Sequence, residues 1–152
     1  MFIVIEQHDR SQPTVTLRFQ IIEADGFTAT DPAIADVEAT LRKLFRFDGY
    51  RLLAEGVMSN VMSGSDVSQK VRAGDREFVI QTDVRATSRV PEGVSTADLR
   101  VVLMENPPNG STDFLLQTGV RVPDGQTVVI GNAVPSSSDR TVILVVRPDI
   151  GD

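Results

Sequence analysis

Val142-Ile143-Leu144-Val145-Val146 carries five aliphatic side chains in succession, with no polar position to mark a solvent-facing side. A strand turns successive side chains to opposite faces, so a run of this kind needs apolar cover on both. The stretch from Thr141 to Val146 therefore predicts a strand in the interior of a sheet, layered above and below.

One layer is predicted between Asp31 and Phe47. Asp31 is placed to cap a helix, and Pro32 takes the first helical position, where its missing N–H is harmless. Ile34, Val37, Leu41, Leu44 and Phe45 then recur at helical spacing as one apolar stripe. Arg42, Lys43 and Arg46 crowd the last turn, where the helix dipole favours positive charge. Gly49 is the expected left-handed residue closing the helix.

The remaining pattern is β. Val15, Leu17, Phe19 and Ile21 alternate with Thr16, Arg18 and Gln20 across Thr14 to Ile22, the period of a half-buried strand. Asp25-Gly26 reads as a turn. Further strands are expected at Tyr50 to Met58, Val67 to Arg72, Glu77 to Thr87, Leu99 to Glu105, Phe114 to Val122 and Gln126 to Ile130. Breakers such as Ala73-Gly74-Asp75 and Asn106-Pro107-Pro108-Asn109-Gly110 separate them. Turn signals at hairpin spacing predict an antiparallel meander. The expected fold class is α+β: one amphipathic helix packed on a mostly antiparallel sheet of six to eight strands. Residues 13–152 read as a single domain, preceded by a flexible arm over residues 1–12.

The chain has 152 residues, 41 % of them hydrophobic and 24 % charged, enough for a core of its own. Fifteen basic against 21 acidic residues leave a net charge of −6. That argues against nucleic acid as the main partner, which needs clustered Lys and Arg. No apolar run reaches the roughly 18 residues of a transmembrane helix. Met1 to Glu6 lacks the basic start of a signal peptide. The compartment is left open: the periplasm or cell envelope if an export signal has been removed, the cytoplasm otherwise.

Chemistry is excluded more readily than assigned. Without Cys there is no disulfide, thiolate ligand or Cys nucleophile. The one His, His8, lies in the polar arm and lacks the rigid surroundings a general base requires. Ser68 and Lys70 share a strand face, but in a polar stretch that would not desolvate the lysine. Asp31 and Asp36 suit the start of a helix and Asp25 a turn. Glu23, Glu55 and Asp83 are the acids a hydrolase would have to bring together. No calcium loop or phosphate-binding Gly-rich motif occurs. Asn109-Gly110-Ser111 matches a glycosylation sequon and reads as an exposed turn. No catalytic, cofactor or metal residue is therefore expected. Arg42, Lys43, Arg46 and Arg51 are the one local basic cluster and the candidate interaction residues. Arg18, Arg85, Arg100 and Arg121, at the polar phase of their strands, are candidates for lining one exposed face.

Leu115-Leu116-Gln117-Thr118-Gly119-Val120-Arg121-Val122-Pro123-Asp124-Gly125-Gln126-Thr127-Val128-Val129-Ile130-Gly131 resembles the end of a bacterial secretin domain, where a strand, a Pro-Asp-Gly-type turn and an apolar strand ending in Gly follow one another. Thr141 to Ile150 is similar to that family's closing strand. Pro123, Asp124 and Gly125 are the turn, with Pro123 expected to preset its first dihedral and Gly125 to supply a positive one. Only the polar segment Asn132 to Arg140 separates the two strands. The resemblance implies a stand-alone secretin-like β domain in a bacterial envelope. The function expected is a non-catalytic structural or assembly module that binds protein partners, or copies of itself, through sheet edges. The alternative is a small-molecule carrier with a pocket between helix and sheet.

Overall fold

The computed structural model describes residues 13–24, 31–90, 92–108, 110–136 and 138–151. The arm with His8, the Asp25-Gly26 turn and Asn109 lie outside the described residues. The strands are β1 (Thr14–Ala24), β2 (Tyr50–Met62), β3 (Asp66–Ala73), β4 (Arg76–Ser88), β5 (Thr96–Asn106), β6 (Asp113–Pro123), β7 (Val128–Ala133) and β8 (Thr141–Gly151). A 3-10 turn over Pro32–Ile34 leads into helix α1 (Ala35–Leu44) between β1 and β2.

The strands form two four-stranded antiparallel sheets rather than the single sheet expected. The first has the order β2-β1-β8-β7 and the second β3-β4-β5-β6. Taken round the molecule, each strand follows its neighbour in sequence, and β8 returns to pair with β1. The architecture is an up-and-down ring pressed into a sandwich, its ladder interrupted between β2 and β3 and between β6 and β7. A helix of ten residues is about 15 Å long and spans roughly three strands. It cannot cover eight, so the other apolar faces are buried sheet against sheet.

Two cores result. Val15, Leu17, Phe19 and Ile21 of β1 meet Phe78 and Ile80 of β4 and Leu99, Val101 and Leu103 of β5 between the sheets. On the outer side of the first sheet, Ile34, Val37 and Leu41 pack over Ile22, Ile143 and Val145 with Tyr50. The decisive apolar run divides as expected: Val142, Leu144 and Val146 face the sandwich, while Ile143 and Val145 face the helix side.

The helix is shorter than the stripe suggested. Asp31 caps as expected, its Oδ1 accepting from Ala33 N–H at 3.0 Å, but α1 stops at Leu44. Phe45 is already extended, and Leu44 falls outside the core at 59 % exposure. Phe45 and Phe47 stack at 6.1 Å against the helix-side core, drawing the chain off the helical path. Gly49 does not take a positive φ. Arg42 supplies the alternative ending, its guanidinium donating to the carbonyls of Phe47 and Asp48.

Candidate functional site

Three of the four basic candidates, Arg42, Lys43 and Arg46, line one shallow concavity at the helix end. Arg42 also pairs with Glu38 at 2.8 Å and lies 5.7 Å over the Tyr50 ring, so it serves the helix end. Arg51 turns to Glu23 at 3.0 Å. Lys43 and Arg46 are exposed beside Leu44.

Arg51 leads to a cluster that tertiary structure assembles. Glu23 and Glu105 end the inward-facing series of β1 and β5, and both are almost fully buried. Arg76, at the start of β4, forks onto Glu105 through Nε (3.0 Å) and Nη2 (3.1 Å) and reaches Glu23 through Nη1 at 3.1 Å. It lies 5.0 Å over the Phe78 ring. The hydrogen bonds it donates to Glu105 hold the Arg76 guanidinium still further on its charged side. Arg140, just before β8, approaches Glu23 at 3.7 Å. The cluster joins β1 and β2 of one sheet to β4 and β5 of the other, and every carboxylate in it faces a guanidinium. It is an inter-sheet clamp. The Glu23–Arg76–Glu105 part was not foreseen, although its signal was present: two carboxylates at inward phases of apolar strands require buried cations.

The acids a hydrolase would need do not converge. Glu23 belongs to the clamp, Glu55 lies on the outer face of the first sheet opposite Gln20, and Asp83 lies on the second sheet opposite Arg100. Among the described residues no group of three or more His, Cys, Asp or Glu is arranged to hold a metal. No helix among them is long and apolar enough to cross a membrane.

The four strand arginines divide as well. Arg18 is on the outer face of the first sheet, whereas Arg85, Arg100 and Arg121 share the outer face of the second, which no helix among the described residues covers. Arg121 is held by Asp98 at 2.7 Å. Arg85 and Arg100 border a depression of about 520 Å³ with Gln117, Thr118 and Gly119. Gly119 faces Arg100 across the ladder, and its missing side chain leaves that depression open.

The Pro123-Asp124-Gly125 turn has a role beyond joining two strands. It carries the chain from the second sheet to the first. Gln126 N–H returns to Pro123 O at 3.2 Å, which puts Asp124 and Gly125 at the corner, Gly125 with φ +75°. Pro123 is the last residue of β6 and precedes the corner, so its ring does not set the first central dihedral. Asp124 N–H donates to Ser95 O on the second-sheet side, while Asp124 Oδ1 accepts from Ile150 N–H and Gly125 N–H donates to Pro148 O on β8. This corner pins one end of the β6–β7 seam.

The other end is pinned by Asp113, whose carboxylate accepts from Ser136 N–H (2.9 Å) and Oγ (2.8 Å) and is held below its ordinary pKa by those bonds. Between the pins β6 and β7 lie side by side with no ladder joining them. Phe114 and Val134, close in sequence to that second pin, are exposed at 69 % and 62 %. At the opposite seam, Gln69 of β3 rests its side chain over Gly56 of β2. Comparison with protein families, with curated proteins and with solved structures finds no match to this chain.

Proposed function

We propose that this chain is a non-catalytic assembly module that binds protein partners, copies of itself included, through the edges of β6 and β7. The supporting observation is the seam between those strands. Each presents an edge unpaired with any strand among the described residues, and exposed Phe114 and Val134 lie near one end as apolar anchors. A strand laid along such an edge gains main-chain hydrogen bonds, and an aromatic side chain beside it gains buried area. The secretin-like stretch coincides with this region, since Leu115 to Gly131 spans most of β6, the corner and the first four residues of β7. On that likeness the module belongs to a bacterial envelope or secretion assembly. The carrier alternative needs room between helix and sheet, but Ile22, Ile34, Leu41, Tyr50 and Ile143 are fully buried there.

Size-exclusion chromatography with light scattering over a range of concentrations, together with a pull-down, tests the proposal. Self-association or a recovered partner that is lost in Phe114→Lys is the expected result. A strict monomer at high concentration with no partner, or association indifferent to Phe114→Lys, would sink it.

A further inference from the structure

One feature on the outer face of the first sheet is unexplained by either core or seam. Arg18 of β1 and Arg147 of β8 stand directly opposite each other in the antiparallel ladder. Side chains so placed have Cβ atoms about 4.5–5.5 Å apart, and like charges in that arrangement destabilise a sheet. Both arginines are exposed, and neither makes an ion pair among the described residues. Helix α1 covers the other half of this face, around Ile22, Ile143 and Val145, and leaves the arginine pair open.

The pair borders a cavity of about 340 Å³, which Gly125, Pro148 and Asp149 complete. The charged groups around it are few. Asp149 lies two residues along β8, faces Thr16 across the ladder and ion-pairs with neither arginine. Val57 is the neighbour of Arg18 on β2, and Glu55 is engaged by Gln20 Nε2 at 3.4 Å. Asp124 is turned to Ile150 N–H. Two arginines thus line one cavity with Asp149 as its single carboxylate, and among the described residues no acid ion-pairs with either guanidinium.

We infer that Arg18 and Arg147 bind a doubly charged oxyanion of the phosphate class. A guanidinium fork matches two oxygens of such a group, and two forks from adjacent strands match its charge and its several acceptors. Binding relieves the repulsion between the arginines, so the anion stabilises the sheet as it docks. The free ion and a phosphomonoester present the same group.

The test titrates the protein with inorganic phosphate and, separately, with glycerol phosphate, at ionic strength matched by chloride. Calorimetry and the side-chain Nε–H resonances of ¹⁵N-labelled arginine report binding. Saturable binding is expected to weaken at least about tenfold in Arg18→Gln and in Arg147→Gln, since each charge-assisted fork contributes upwards of one decade in affinity. Arg100→Gln, on the other sheet, leaves it unchanged. In phosphate-free buffer the two glutamine variants unfold at urea concentrations no lower than the parent, because a repulsion has been removed. Response to both ligands assigns a site open to phosphomonoesters, and response to phosphate alone a site for the free ion. Binding no stronger than chloride, equal loss in Arg100→Gln, or a lowered urea midpoint in the glutamine variants would overturn the assignment.

Discussion

Arg76 shows how much one side chain carries in a small sandwich. Its guanidinium is the shared partner of two carboxylates that are each only 3 % exposed. Removing it takes the fork from buried Glu105 and leaves Glu23 to the part-exposed Arg51 and Arg140, and breaking a buried ionic group costs up to about 3–5 kcal/mol. Arg76→Met is therefore expected to lower unfolding stability by that order in urea denaturation. Arg51 pairs with the same Glu23 but is half exposed. Solvent screens that pair, and Arg51→Ala is expected to cost no more than about 1 kcal/mol. Equal losses for the two variants would mean that the cluster is more hydrated than its burial indicates.

Among the elements, α1 and the segments flanking it show where local signals govern and where they yield. Asp31 does two jobs at the helix start: Oδ1 accepts from Ala33 N–H, and Oδ2 accepts from Leu52 N–H at 3.4 Å on β2. Asp31→Ala is expected to cost about 1 kcal/mol or somewhat more, as for a lost N-cap, read as a fall in melting temperature. Capping chemistry is local, so this end was legible in the residues. The far end was not. The stripe through Leu44 and the position of Gly49 both pointed to a longer helix, but Phe45 and Phe47 gain more by entering the helix-side core than by extending α1. Strand ends show the same division. Alternation located β1 and β5, yet whether Glu23 and Glu105 would find a partner depended on Arg76, 53 residues from the first of them.

For the whole molecule, acid is the informative perturbant. Hydrogen bonding, first from Asn106 Nδ2 at 2.9 Å, holds Glu77 below its ordinary value of 4.5, and Ser136 holds Asp113 below 3.8. Both groups bind protons less readily folded than unfolded. Their stabilisation is complete above about pH 4.5 and is lost as pH falls through the lower folded values. The urea midpoint is thus expected to hold from neutrality to about pH 5 and to decline below 4.5. Glu77→Gln, which cannot titrate, is expected to show a shallower decline. An unchanged acid slope would remove Glu77 from the account. Asp113 closes the β6–β7 seam, so the same acid range loosens the edge proposed for assembly.

The residues alone determined that this chain builds strands in succession, that one amphipathic helix covers a sheet, and that the run from Val142 to Val146 is buried on both faces. Those are consequences of side-chain period and turn chemistry, which act over a few residues. Only the tertiary structure decided that the meander splits into two sheets and closes through β1 and β8, because alternation says that a face is buried and not what buries it. For the same reason it alone brought Arg76 to Glu23 and Glu105, set Arg18 against Arg147, and made the Pro123-Asp124-Gly125 turn the corner between sheets. Ladder register is a long-range quantity, set by how the apolar faces meet.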